Sequence, residues 1–92
     1  MKYPSRNDIV AKILESASDM PVSKTRLMDM TSIEYGQLNT YVVMLIKNDL
    51  LSFDSHNHQF FITDKGQRFL EYYSSLKQIH NAKRRRSLDV YF

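Results

Sequence analysis

Apolar residues along this chain recur first at helical spacing, then in two short alternating runs, then at helical spacing again. Ile9, Val10, Ile13, Leu14 and Ala17 form one stripe of a first helix. Its start is marked by Ser5 and Asp8, an S-x-x-D capping box in which each side chain reaches a backbone N–H that the first turn leaves unpaired. Ser18 and Asp19 end it, and Pro21 cannot continue a helix interior. Met20-Pro21-Val22 is expected to be an extended connector forming a short edge strand. A second helix begins with Ser23 as N-cap and runs to about Met30, with Leu27 and Met28 inward and Lys24 and Arg26 outward. In the turn Thr31-Ser32-Ile33, Ser32 is placed to cap the next helix while Ile33 packs beneath it.

The third helix is predicted from Glu34 to about Asn48, with Leu38, Tyr41, Val42, Leu45 and Ile46 as its buried face. Gly36 is out of character in a first turn, where it costs about 1 kcal/mol relative to Ala and lets another backbone or a phosphate come close. Leu50 to Asp54 and Gln59 to Thr63 read as strands joined by the four-residue loop Ser55-His56-Asn57-His58. Thr63 or Asp64 then caps a fourth helix whose apolar face, Phe69, Leu70, Tyr72, Tyr73, Leu76 and Ile79, continues to about residue 80. Such a helix is longer than the rest of so small a domain can cover. A second copy of the same helix is the simplest cover for Phe69, Tyr72, Tyr73, Leu76 and Ile79.

Ninety-two residues with 42% hydrophobic and 25% charged content make one globular domain with a thin core. The chain has no cysteine, so it carries neither disulfide framework nor thiolate chemistry. No signal peptide or membrane span is expected, and the chain is placed in the cytoplasm. The net charge of +3 is unevenly spread. Residues 1–76 hold eight Lys and Arg against nine Asp and Glu, while Lys77, Lys83, Arg84, Arg85 and Arg86 face Asp89 alone in residues 77–92. The basic excess therefore lies in the tail, and the near-neutral body argues against strong non-specific binding to a polyanion.

The side of the third helix opposite Leu38, Tyr41 and Leu45 is expected to carry Glu34, Tyr35, Gln37, Asn39 and Thr40. Gln and Asn can pair bidentately with adenine in the major groove, Thr can touch a thymine methyl, and Tyr can reach phosphate. The bland reading is a solvated helix face, but a capped short helix before it and a hairpin after it favour the reader. Ser32 in the turn, with Lys24 and Arg26 on the second helix, lies where such a pair meets the DNA backbone; the alternative is ordinary surface charge. The loop tip offers His56, Asn57 and His58 but no Lys or Arg, so its grip on DNA strengthens only as the histidines protonate. As an H-x-H pair it supplies two metal ligands with no third in sequence, and no metal or cofactor is expected. Arg84, Arg85 and Arg86 suit a phosphate contact or a favourable charge at a helix C-terminus. The apolar tail Leu88–Phe92 folds onto the core or onto a partner. No Gly-rich phosphate loop, catalytic triad motif or small-molecule site is visible, so no enzyme is expected.

Lys24-Thr25-Arg26-Leu27-Met28, then Tyr35, Gln37-Leu38, Tyr41 and Leu45, then Asp49-Leu50-Leu51, then Ile62-Thr63-Asp64-Lys65-Gly66 and Phe69-Leu70 follow in order. Over roughly residues 6–76 the chain resembles the small archaeal winged-helix proteins, also carried by archaeal viruses, that include a Sulfolobus DNA-binding chromatin protein. The resemblance implies a mainly α fold with a small β-hairpin (α+β): a winged helix-turn-helix of three helices and a wing, with a long C-terminal helix that pairs with its twin. On that reading residues 1–66 are the DNA-binding domain, 63–82 the dimerisation helix and 83–92 a basic and apolar tail. It further implies a homodimer on double-stranded DNA; the acidic balance of the body adds the expectation of a selective, nucleoid-associated transcriptional regulator over an abundant DNA-coating protein. Many members carry Gly where this chain has Asp49, a residue that also tolerates a left-handed backbone. The rival expectation, from the near-neutral body and the apolar tail, is a winged helix used as a protein-interaction module; RNA binding ranks below both.

Overall fold

The computed structural model describes residues 5–89, with side chains described over residues 5–76. The element order is α1 (Arg6–Ser16), α2 (Lys24–Thr31), α3 (Tyr35–Lys47), β1 (Leu51–Asp54), β2 (Gln59–Ile62) and α4 (Asp64–Asp89). The expected capping box is present: Ser5 Oγ accepts from the Asp8 N–H at 3.1 Å, and Asp8 Oδ2 accepts from the Ser5 N–H at 3.2 Å. Ser23 caps α2 by accepting from the Arg26 N–H at 3.2 Å. Val10, Ile13 and Leu14 of α1 meet Leu27 of α2, Leu38, Val42 and Leu45 of α3, Leu51, Phe60 and Leu70 in one core. Helix α1 packs on α2 and on α4.

Two expectations about α3 change. Ser32 does not cap it; Ser32 is the left-handed C-cap of α2, at φ 57°, and its N–H donates to the Met28 carbonyl. Glu34 is the N-cap of α3 and makes no side-chain capping bond. Ile46 is 38% exposed rather than buried. The buried arc is centred on Leu38, Val42 and Leu45, and Ile46 lies about 100° round the helix from Leu45.

The hairpin pairs Leu51 with Ile62, Ser52 with Phe61, Phe53 with Phe60 and Asp54 with Gln59. Val22 adds the expected edge bridge, its N–H donating to Phe60 O at 2.9 Å and its carbonyl accepting from Phe60 N at 2.7 Å. Asp54 holds the loop closed. Its carboxylate accepts from Asn57 Nδ2 at 2.9 Å and from the backbone N–H of His56 at 3.0 Å and Asn57 at 3.4 Å. These donors, the Asn57 side chain first, hold the Asp54 carboxyl below its ordinary value.

The junction of α3, the hairpin and α4 is the most constrained point. Asp49 takes the left-handed conformation at φ 64°. The Leu50 N–H donates to Leu45 O at 2.9 Å, and the Leu50 carbonyl accepts from Thr63 N at 3.2 Å. Thr63 Oγ1 donates to Asp49 O at 2.7 Å and accepts from Gly66 N at 3.0 Å, which caps α4. Lys65 Nζ donates to the Asn48 carbonyl at 3.0 Å, satisfying a group at the C-terminus of α3. Gly66 is buried, and a Cβ there would fall on the Leu50 carbonyl oxygen and lie 2.7 Å from Ile62 Cγ1. Beyond this joint α4 runs to Asp89, past the expected end near residue 80, so the Lys83–Arg86 run is helical. Residues 1–4, the 90–92 end of the apolar tail and the side chains of Ile79, Arg84, Arg85 and Arg86 lie outside the described residues.

Gly66→Ala is expected to lower the unfolding free energy by about 2 kcal/mol, the scale of overpacking against a carbonyl. Gly36→Ala, where a Cβ meets nothing within 4 Å, is expected to raise it by about 0.5–1 kcal/mol; paired urea melts measure both. Because the Asp54 pKa is depressed, the loop contacts persist above the ordinary carboxyl value and are lost as pH falls through the lower folded one. An NMR titration should place its midpoint below 3.8, and Asn57→Ala should move it back up.

Candidate nucleic-acid interface

Helix α3 is 13 residues, about 20 Å long. With Leu38, Val42 and Leu45 turned into the core, the opposite side is the row Gly36, Thr40, Val43 and Lys47, at i, i+4, i+7 and i+11, all exposed. Of the residues that sequence reasoning nominated here, Thr40 lies in this row. Gln37 is exposed on one flank and borders a cleft of about 730 Å³ among α1, the α2–α3 turn and α4. Glu34 and Tyr35 sit at the helix start, both exposed. Gly36 has the open approach expected of it, whereas Val43 and Lys47 were missed as outward residues, although the 3.6-residue period places them there.

Asn39 is on the other flank, half-buried, and its Oδ1 accepts a hydrogen bond from Lys24 Nζ. The same ammonium stands 5.0 Å from the centroid of the Tyr35 ring and 5.9 Å from that of Phe60. An ammonium has only donors, so the amide must turn its oxygen to Lys24. Lys24, Tyr35 and Asn39 are thus one cluster tying α2 to α3, across 15 positions of sequence. Arg26 is exposed on the other flank of α2, beside Met20, Pro21, Met30 and Gln59. The two cations of the K-T-R motif therefore do not share a face.

At the hairpin tip His56 and His58 are exposed, and the His58 ring lies 6.2 Å from that of Phe53. Asn57 is exposed too, but its amide is turned back onto Asp54. Among the described residues no group of three or more His, Cys, Asp or Glu is placed to hold a metal ion. None of the described helices is long and apolar enough to cross a membrane.

On α4 the expected apolar face divides. Leu70 is buried, and Phe69 and Tyr73 are half-buried against the domain's own core, their rings stacked at 6.2 Å. Tyr72 and Leu76 lie on the far side, 65% and 48% exposed.

The arrangement of α2, turn, α3, hairpin and long last helix has counterparts among known proteins. The structure is similar to that of Sso10a-2, a DNA-binding protein from Sulfolobus solfataricus, with a TM-score of 0.69 at 21% identity over 96% of this chain and 98% of that one. No curated protein sequence matches the chain at a significant level. The winged helix-turn-helix family model matches residues 4–81. With that span covering most of the described fold, the chain belongs to the winged helix-turn-helix family.

Proposed function

We propose that this protein binds double-stranded DNA as a homodimer, with α3 in the major groove, and serves as a transcriptional regulator in the cytoplasm, associated with the nucleoid. The observation that carries the reading is the bare outer row of α3, where Gly36 has nothing within 4 Å of a Cβ position. A glycine that the fold does not require, in a helix turn it weakens, is accounted for by a surface that must come close. The description of Sso10a-2 as a DNA-binding protein supports the same reading. In it, Gln37 and Thr40 meet base edges. Lys24, Arg26, Ser32, Glu34, Tyr35 and Asn39 border the backbone, and His56, Asn57 and His58 reach the neighbouring groove. Arg84, Arg85 and Arg86 add phosphate contacts.

The second reading, a protein-interaction module, draws on exposed Val43 and Ile46 of the same helix and on a body whose charge is nearly balanced. Selection of bound duplexes from a random pool separates the two. Recovery of an enriched site with low-salt affinity supports the DNA reader; no binding at high micromolar protein, with a stoichiometric protein partner, supports the alternative. In the first case, replacing Arg84, Arg85 and Arg86 by Ala should weaken binding to every sequence and flatten the log–log salt slope by about 0.9 per lost phosphate contact.

Exposed Tyr72 and Leu76, with Ile79 one turn on, would be covered by a second copy of α4. Light scattering should give twice the 10.9 kDa chain mass, and Leu76→Asp with Ile79→Asp should return it to the monomer. An assembled mass unchanged by both substitutions would rule out this dimer.

A further inference from the structure

We infer that α3 reads thymine through its C5-methyl group, so that the preferred duplex site is rich in A·T pairs where the row Gly36–Thr40–Val43 lies. This inference rests on the DNA-binding reading above and names what that interface recognises.

Three observations lead to it. First, the Thr40 hydroxyl donates to the Gly36 carbonyl at 3.1 Å. That donor is consumed within the helix, so the exposed side chain offers a base edge its methyl and the acceptor lone pairs of its oxygen, but no hydrogen-bond donor. Second, Val43 follows one turn on in the same row, 46% exposed and with no polar atom in its side chain. A valine facing a groove has nothing to gain from the N4 amino group of cytosine, which it would strip of water without replacing the hydrogen bond. Against a thymine methyl it buries apolar surface, and the methyl is the one apolar group the major-groove edge presents. Third, Gly36 leaves the space at the head of the row empty, so the groove edge can approach until the Thr40 and Val43 methyls touch it.

The amides point the same way. Bidentate recognition of adenine by Asn uses both its oxygen and its nitrogen. The Asn39 oxygen is held by Lys24 and the residue is half-buried, so it is poorly placed for that role. Gln37, exposed beside the row, is the amide of α3 better placed to pair with the adenine partner of a contacted thymine. Lys47 ends the row with a cation for the flanking phosphate.

The test uses the full chain and a duplex recovered from the random pool, compared with the same duplex carrying deoxyuridine at each thymine in turn. Uracil keeps every hydrogen-bonding group of thymine and lacks the methyl. At each contacted position affinity should fall about fourfold, the equivalent of about 0.8 kcal/mol for one buried methyl-sized group. Val43→Ala and Thr40→Ser should each bring the thymine-to-uracil ratio at their own position toward one, whereas Thr40→Val, which keeps a methyl there, should preserve it. These are exposed positions, and thermal melts confirm that each variant folds. Equal affinity for thymine and uracil duplexes, or a selected site without thymine, would overturn the inference and leave DNA binding intact. Failure to bind any duplex would remove both.

Discussion

The Leu50 carbonyl group is the point on which the geometry of this domain turns. It accepts from Thr63 N, closing the base of the hairpin, and the backbone of Gly66 presses against it. The N–H of the same residue returns to Leu45, fastening the strand to the end of α3. Asp49 just before it must adopt a positive φ so that the chain can reverse, and its carbonyl takes the Thr63 hydroxyl. Lys65 completes the joint by donating to the last turn of α3. Three elements are thus registered by a few consecutive residues on each side, without a large core to do it. For a chain of 92 residues that matters, since the buried side chains alone fix interelement angles only loosely.

Much of the fold was readable because its signals are local. Ser5 with Asp8, Ser23 before Lys24, and Pro21 after α1 each act within a turn of helix, and each boundary fell within a residue or two of its expected place. Asp54 followed by His56 and Asn57 was a comparable local signal, an Asp whose side chain accepts from the next turn's N–H groups, and it passed unused. Ser32 shows where local reasoning is ambiguous: the same small polar residue can precede a helix as N-cap or follow one in the left-handed region, and only the chain's path decides. The length of α4 was underestimated because the apolar stripe thins where the basic run begins. Helix formation does not need an apolar stripe, and Lys and Arg are good helix formers.

Gly36 and Gly66 make the limit sharpest. Both lie in the first turn of a helix, where glycine is costly. One has a carbonyl oxygen where its Cβ would be; the other faces open space. Sequence pattern cannot separate them, because the distinction is made by a residue distant along the chain. The same holds for Asn39, whose amide is claimed by Lys24 of the preceding helix. A list of polar residues on a helix is thus an upper bound on the residues that can read a ligand, and tertiary contacts shorten it.

The shortening has a consequence for how α3 can bind. Lys24 of α2 already serves Asn39 and two aromatic rings, and Lys47 is the cation of the exposed row, at its far end. In the proposed complex with DNA, an interface with so few cations on the body would gain little from counterion release there, and the basic segment of α4 would be the main source of salt-dependent affinity. Direct contacts by α3 would then decide sequence preference while residues 83–86 set overall strength. Such a division would make affinity and selectivity separable by mutation, since the two groups of residues lie on different helices. In a protein that coats DNA indiscriminately, the cations would belong on the helix that meets the groove. Here the helix proposed to meet the groove offers a methyl, a valine and an empty Cβ position, and on that proposal it would choose among base pairs.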